Sequence, residues 1–170
     1  MTVPARPPQQ YLAAGFRDVD TSGDTTAYTR CFDLLSDIPF FRDVKEESFR
    51  IIAQTKPEQV LDAGCGAGTD LAALASVLPP ASRITGIDAS AALLATAAER
   101  TAAHRDRCLL IRGDLTQIPC RDGAFSCSRI DRVLQHIPDP GRVIQELARV
   151  TAPGERSLRS TMTGTHSPSP

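Results

Sequence analysis

The sequence predicts an α/β fold: a Rossmann-like parallel sheet with helices on both faces. Three observations support this prediction. Short apolar runs alternate along the chain with helical patterns, as in a doubly wound sheet. The first run, Val60 and Leu61, leads into a loop with glycines at alternate positions, and a helical pattern follows at once. The run after that helix ends in Asp88, about twenty residues beyond the loop.

The loop at residues 64–68 has the order Gly-Cys-Gly-Ala-Gly. Glycine lets the chain turn freely, lets backbone approach a ligand, and lets helix and strand pack closely. The free N–H groups of the next helical turn suit a negative or polar ligand group. Asp88 stands where a ribose-binding carboxylate is expected, so the pair predicts a nucleoside-binding βαβ unit. Thr69 stands where a dinucleotide fingerprint has its third glycine.

Composition narrows the class of protein. The chain has 170 residues, 41% of them hydrophobic, which is enough for one domain with a sizeable core. Its formal net charge of −1 gives no reason to expect nucleic acid or an anionic membrane as a partner. Its five cysteines form no C-x-x-C pair, so neither a disulfide framework nor a zinc site is expected. Without a signal peptide or a membrane-length apolar run, we expect a soluble, cytoplasmic protein.

The segments before the glycine loop have two possible roles. Residues 1–24 are predicted to be disordered or loosely packed, with prolines near the start. A helix is expected from Thr25 to Pro39, and a second from about residue 40 to residue 54. One interpretation is that these helices cover apolar surface of the sheet. The other is that they form a roof over the ligand cleft and shape the acceptor pocket.

The elements after the loop follow from helical spacing, caps and prolines. The helix after the loop carries apolar residues at helical spacing and stops at Pro79. Ser90 can cap the next helix, and Asp139 with Pro140 can begin the last one. Strands are expected at residues 83–88, at 108–111, and from about 124 to 130 or 131.

Five motifs in order resemble a known family. They are VLDAGCGAGTD (60–70), ITGIDAS (84–90), IRGDLTQIPCRDGAF (111–125), IDRVLQHIPDP (130–140) and ELARVTAPG (146–154). Together they resemble the class I S-adenosylmethionine-dependent methyltransferases, and they are similar to the small-molecule group that includes the ubiquinone and menaquinone methyltransferases. The resemblance covers residues 60–154, within a predicted domain of residues 25–154 that includes the N-terminal helices.

The resemblance implies S-adenosyl-L-methionine as cofactor and a role for each matching position. The glycine loop would lie under the methionine part, and Asp88 would accept from both ribose hydroxyls beside Ala89. Asp114 and Leu115 would contact the adenine, and Asp131 would lie near the methionine amino group and the sulfonium. The implied cofactor-binding set is Asp62, Gly64, Cys65, Gly66, Gly68, Asp88, Ala89, Asp114, Leu115 and Asp131.

A general base is needed only if the acceptor must lose a proton. His136 is the candidate because it follows the fourth strand closely, and the alternative is a structural histidine that holds the local turn. Cys65 is interpreted as a small packing residue rather than a nucleophile. His104 and His166 receive no role.

The resemblance ends after Gly154, where the family continues with a fifth strand. Residues 155–170 contain only Leu158 and Met162 as sizeable apolar side chains, so we expect a disordered tail. The sheet would then be incomplete after the fourth strand and its helix, as in a truncated protein. The open edge of the fourth strand would invite self-association. Ser126 replaces an Asp that is usual in the family.

Three functions fit these patterns to different degrees. The leading hypothesis is an S-adenosylmethionine-dependent methyltransferase acting on a small-molecule acceptor. The alternative is a truncated, non-catalytic cofactor-binding remnant or interaction module, which the tail favours. A nicotinamide-dependent oxidoreductase fits less well, because the loop lacks the third glycine of the fingerprint and Asp114 would have no task.

Overall fold

A computed structural model of the chain describes residue 16 and residues 19–160, with the backbone alone for residues 154–160. The expectations for residues 1–15, for residues 161–170 and for His166 lie outside the described residues. The helices are α1 (Thr25–Asp37), α2 (Pro39–Gln54), α3 (Thr69–Val77), α4 (Ala91–Arg100) and α5 (Pro140–Val150). The strands are β1 (Gln59–Ala63), β2 (Arg83–Asp88), β3 (Cys108–Arg112), β4 (Phe125–Asp131) and β5 (Thr151–Ser160).

The strands form one parallel sheet in the order β3-β2-β1-β4-β5. The chain therefore leaves β1 toward one edge for β2 and β3, and toward the other edge for β4 and β5. A crevice opens where the order reverses, outside the carboxyl ends of β1 and β4, and ligands bind at such crevices in open α/β sheets. The predicted Rossmann-like parallel sheet is confirmed.

Helices cover both faces of the sheet. On one face, α2 and α3 pack on the central strands, with Phe49, Ile52, Leu71 and Leu74 buried in a common cluster. On the other face, α5 and the segment between β3 and β4 cover a second cluster, whose members are Leu61, Ala63, Ile87, Leu115, Ile118, Phe125, Ile130, Val143, Leu147 and Val150. None of the helices in the described part of the chain is long and apolar enough to cross a membrane.

The predicted helix starts are confirmed by their caps. The Ser90 hydroxyl accepts a hydrogen bond from the Leu93 N–H at 3.1 Å and begins α4. Asp139 accepts from the Arg142 N–H at 3.0 Å, and Pro140 is the first residue of α5. Each cap satisfies an N–H group that has no partner within its helix.

The prediction of a sheet that ends at β4 is wrong. Residues 151–160 form β5, which pairs in parallel with β4 from Phe125 to Asp131, with an irregularity between Phe125 and Cys127. A strand at the edge of a sheet is held by backbone hydrogen bonds along one side, so it does not need the continuous apolar run of a central strand. The tail expected at 155–170 is therefore a strand as far as Ser160, and the edge of β4 is paired rather than open.

Ser126 has a clear structural role in β4. Its hydroxyl accepts from the backbone N–H of Gln59 at 3.1 Å and donates to the Gln59 carbonyl at 3.0 Å. The side chain thus ties the start of β1 to the start of β4. It lies at the end of these strands opposite the crevice.

A comparison of Gly68 with Gly23 separates the cost of a steric clash from the cost of a left-handed backbone. Gly68 and Gly23 both have φ of +78°, but a Cβ at Gly68 would lie 2.7 Å from Ala97 Cβ, whereas one at Gly23 would meet nothing within 4 Å. We expect Gly23→Ala to lower the free energy of unfolding by about 1–2 kcal/mol, the cost of a left-handed non-glycine residue. Gly68→Ala should cost about 2–4 kcal/mol, because the clash between α3 and α4 adds to it.

Urea denaturation of both variants and the wild type measures these differences. Equal losses in the two variants would mean that α4 does not pack against the glycine loop as described.

Candidate functional site

A cavity of about 730 Å³ lies at the carboxyl ends of the strands, in the crevice between β1 and β4. Nearly all the site residues predicted from sequence line it: Asp62, Gly64, Cys65, Gly66, Asp88, Ala89, Asp114, Leu115, Asp131 and His136. Gly68 does not line the cavity, and it serves instead as the close contact between α3 and α4. The positions predicted from sequence therefore meet at one place.

The glycine loop is anchored to β2 by its backbone. The N–H groups of Gly64 and Cys65 donate to the Ile87 carbonyl at 2.7 and 3.1 Å. Gly64 has φ of +74°, and a Cβ there would lie 2.3 Å from Val133 Cγ2, so the space beside it is already filled by the segment after β4. These contacts leave bare backbone facing the cavity.

Asp88 stands at the end of β2 and joins the loop to α4. Its carboxylate accepts from the Gly66 N–H at 2.8 Å and from the Ser90 N–H at 2.9 Å. Burial raises the pKa of Asp88 above its ordinary value, although the backbone N–H groups of Ser90 and Gly66 oppose that shift. A carboxylate can accept about four hydrogen bonds, so Asp88 keeps acceptor capacity toward the cavity.

The sequence interpretation missed Asp20, which contacts the first turn of α4 next to the site. Its carboxylate accepts from the N–H groups of Ala91 and Ala92 at 2.9 and 3.2 Å and from the Ser90 hydroxyl. It thus adds a second cap to α4 beside Ser90. No local pattern indicates this contact, because Asp20 lies in the segment expected to be disordered and reaches a helix some seventy residues away.

The segment that follows β3 contributes Asp114 and Leu115 to the rim of the cavity. Asp114 Oδ1 accepts from the Thr116 N–H and hydroxyl, both at 2.8 Å, and Oδ2 has no partner among the described residues. Leu115 is buried at 7% exposure and presents an apolar surface beside it.

A buried network of charges forms the floor of the cavity, and Arg129 is its centre. Arg129 lies in β4, directly beside Asp62 of β1, and it is 2% exposed. Its guanidinium bonds Asp62 at 2.9 Å, Asp70 at 2.8 Å and Asp131 at 3.1 Å. Lys45 of α2 bonds Asp70 at 2.6 Å. These five groups comprise three carboxylates and two cations.

The network sets the protonation of its carboxyl groups. Burial raises the pKa of Asp62 to about 6, against the attraction of Arg129. Burial would also raise the pKa of Asp70, but Arg129 and Lys45 outweigh it and hold that pKa below its ordinary value. Arg129 stays protonated, because its three acidic neighbours raise its pKa in spite of burial.

The sequence interpretation did not identify Arg129, Lys45 or Asp70 as site residues. One signal was available: β1 and β4 each carry a charged residue, Asp62 and Arg129, inside a run predicted to be buried. Charges inside adjacent buried strands require each other as partners. Lys45 gave no such signal, because it lies on a helix whose position relative to the sheet is set by tertiary packing.

The two N-terminal helices divide the roles proposed for them. The apolar residues Phe49 and Ile52 of α2 pack into the sheet, as the covering role requires. By contrast, α1 has no fully buried residue, and Cys31, Phe32, Leu35 and Ser36 line the cavity. The roof role therefore fits α1.

His136 meets this roof through Phe16. The Phe16 ring lies 5.0 Å from the Tyr28 ring, 5.4 Å from the Phe32 ring and 4.9 Å from the His136 ring, measured between centroids. His136 Nε2 is also 3.1 Å from Gln135 Nε2. His136 thus lines the cavity and also joins the segment after β4 to the roof.

Cys65 is buried, and burial raises the pKa of its thiol. This agrees with a packing residue.

Comparison with known proteins identifies the domain. A family model described as "Methyltransferase domain" matches residues 60–154. Demethylmenaquinone methyltransferase of Staphylococcus aureus is 31% identical over 126 residues, which are 72% of this chain and 52% of that protein. An uncharacterized 37.1 kDa protein of transposon TN4556 from Streptomyces fradiae is 42% identical over 99 residues, 58% of this chain and 28% of that protein. The chain thus spans about half, or less, of these relatives.

Solved structures give the same fold. A putative S-adenosyl-L-methionine-dependent methyltransferase from Methanococcus maripaludis superposes with a TM-score of 0.66 at 20% identity, covering 76% of this chain and 60% of that one. The [4+2]-cyclase SpnF superposes with a TM-score of 0.59 at 27% identity, covering 66% of this chain and 43% of that one.

The raised pKa of Asp62 makes stability depend on pH. The folded carboxyl keeps its proton to about pH 6, whereas the ordinary value is 3.8, so unfolding between these values releases a proton. Raising the pH therefore favours the unfolded chain. We expect the unfolding free energy of the wild type relative to Asp62→Asn to fall by about 1–3 kcal/mol from pH 4 to pH 7.

Urea denaturation across this pH range measures that difference. The control is Asp106→Asn, the same acid-to-amide change at an exposed position before β3. A difference between wild type and Asp62→Asn that is constant or rises with pH would contradict the assignment.

Proposed function

The chain belongs to the class I S-adenosylmethionine-dependent methyltransferases, and from that premise we propose that it transfers a methyl group from this cofactor to a small-molecule acceptor. The observation that carries the proposal is the juxtaposition of the bare glycine loop, Asp88 and the Arg129 network around one cavity. Each has a counterpart in the chemistry of the cofactor, which combines a nucleoside, an amino acid and a sulfonium.

The residues at the ends of β2 and β3 fit the adenosine part. Asp88 has acceptor capacity left for ribose hydroxyls, and it is held rigidly by the N–H groups of Gly66 and Ser90. Asp114 Oδ2 fits the adenine amino group, and Leu115 fits the face of the ring. Ala89 lines the cavity between them.

The residues at the ends of β1 and β4 fit the amino-acid part. Asp62 and Asp131 line the cavity, and their carboxylates suit a bound ammonium group. The N-terminal turn of α3, with Ala67 and Thr69 on the cavity, suits the carboxylate of the same group.

The chemistry asked of the protein is modest. The bound cofactor supplies an activated methyl group, and the residues of this chain hold donor and acceptor in line and exclude water. Such positioning supplies most of the acceleration in reactions of this kind. His136 lines the cavity and is the candidate base for an acceptor that must lose a proton.

A small molecule is the expected acceptor, because the cavity is roofed by α1 and by Phe16. Its volume of about 730 Å³ lies in the range of ordinary ligand sites. The roof contributes mainly apolar side chains, including Phe32 and Leu35. A cytoplasmic location belongs to the same proposal, and the five free cysteines fit a reducing compartment.

The alternative is a non-catalytic module that binds the cofactor. The argument for it was the tail after Gly154, and β5 answers the part of that argument that concerned an open edge at β4. The two functions differ in turnover rather than in binding. An assay of methyl transfer from labelled donor to the small molecules of a cell extract therefore separates them.

Binding is tested by calorimetry with S-adenosylhomocysteine. We expect Asp88→Ala to weaken binding about a hundredfold or more, since a hydrogen bond to a charged group contributes about 1.5–3 kcal/mol and two are lost. The matched control, Asp106→Ala, removes an exposed acid before β3 and should bind as the wild type does. NAD should give no heat with any of them.

Equal affinities of Asp88→Ala and the wild type, with melting temperatures that show both folded, would refute the assignment of Asp88. Binding of NAD in place of S-adenosylhomocysteine would refute the proposed function itself.

A further inference from the structure

Arg132 is held in an unusual conformation at the wall of the cavity. It follows the last residue of β4 and has φ of +55°, in the left-handed region that non-glycine residues rarely adopt. Such strain persists only where the surroundings hold it, and it concentrates at ligand sites. The neighbouring Val133 occupies the space beside Gly64, which fixes the turn.

The guanidinium of Arg132 is held by packing, but its hydrogen bonding is incomplete. It lies over the Phe41 ring of α2, 5.5 Å from the centroid, and the side chain is 17% exposed. Its Nε and Nη1 atoms are buried, and neither has a hydrogen-bond partner among the described residues. Buried donors are normally paired, so Arg132 is a cation with incomplete hydrogen bonding. Nε and Nη1 are enclosed by protein, but Arg132 lines the cavity and a group bound there can reach the exposed part of its side chain.

Asp131 does not supply the missing partner. Its Oδ2 is 3.6 Å from Arg132 Nε, beyond a good hydrogen bond, while it accepts from Arg129 at 3.1 Å and lies 3.9 Å from Lys45. One carboxylate oxygen is therefore shared among three cations. Asp131 therefore compensates only part of the positive charge of Arg132, and Arg132 has no second carboxylate within ion-pair distance among the described residues.

We propose that Arg132 binds a negatively charged oxygen group of the methyl acceptor, a carboxylate or a phosphate. The inference rests on the proposed function and names the acceptor class within it: a small molecule with an apolar body and one anionic group. The guanidinium fits such an oxyanion by charge and by its planar set of donors. The apolar lining from Phe32, Leu35 and Cys31 fits the body.

The cofactor's own carboxylate is a less suitable partner for Arg132. The N-terminal turn of α3 offers it backbone N–H groups and a partial positive charge beside the glycine loop. Arg132 instead packs against Phe41 of α2, on the side of the cavity where the N-terminal helices lie. The two oxyanion positions can thus be filled at the same time.

The test uses benzoate and benzamide as probes on protein saturated with S-adenosylhomocysteine. The two have nearly the same shape and differ in charge, and saturation-transfer NMR measures their weak affinities. We expect the wild type to prefer benzoate by about tenfold, the scale of one hydrogen bond to a charged group, and Arg132→Met to abolish the preference. Arg132→Lys, which keeps the charge without Nε, should retain part of it.

The matched control is Arg50→Met, which removes an exposed arginine of α2 paired with Glu47 and should leave the preference intact. The affinity for S-adenosylhomocysteine should stay within about twofold in every variant, because the interactions with the cofactor are unchanged. Melting temperatures establish that Arg132→Met is folded, and Arg132→Lys carries the test if it is not.

Three results would overturn the inference: no preference for benzoate in the wild type, a preference that survives in Arg132→Met, or a tenfold loss of S-adenosylhomocysteine affinity in Arg132→Met. The last would assign the guanidinium to the cofactor, and 5′-methylthioadenosine, which lacks the amino-acid part, would then bind wild type and variant alike. If the wild type bound neither S-adenosylhomocysteine nor 5′-methylthioadenosine, that result would refute the proposed function and, with it, this inference.

Discussion

The bond between Arg129 and Asp62, across the two central strands, is the constraint on which the site depends. Both side chains are almost fully buried, so each requires the other, and the removal of one from such a pair costs about 3–5 kcal/mol. A buried ion pair is seldom the most stable filling for that space. This pair lies at the switch point of the sheet, and its Arg129 also bonds Asp70 and Asp131 at the cavity. We therefore attribute the stability cost of the buried pair to its role in positioning these site residues.

Backbone hydrogen bonds hold the walls of the cavity around this charge network. The glycine loop is tied to β2 through Ile87 and to Asp88 through Gly66, so the strand that carries the acid also positions the loop. Asp20 and Ser90 then cap the helix that follows. Lys45 extends the charge network into α2, which couples this helix to the floor. The site is therefore assembled from both ends of the domain rather than from the glycine loop alone.

Prediction from sequence succeeded where the determinants are local and failed where they are not. The bounds of β2 and the caps at Ser90 and Asp139 followed from turn and capping chemistry within a few residues. The strand β5 was missed because an edge strand is held by backbone pairing, which a side-chain pattern does not reveal. The floor network was missed for a related reason. Its partners Lys45, Asp70 and Arg129 are far apart in sequence, and only the packing of α2 and the register of β1 with β4 bring them together.

A crystal structure of the chain with S-adenosylhomocysteine tests the account most directly. We expect the ribose hydroxyls within about 3 Å of the Asp88 carboxylate and the ammonium group near Asp62 and Asp131. Arg129 should still bond both acids, because the floor is formed before the ligand binds. A nucleoside bound outside this cavity, or an Arg129 side chain displaced from Asp62 in the complex, would contradict the account.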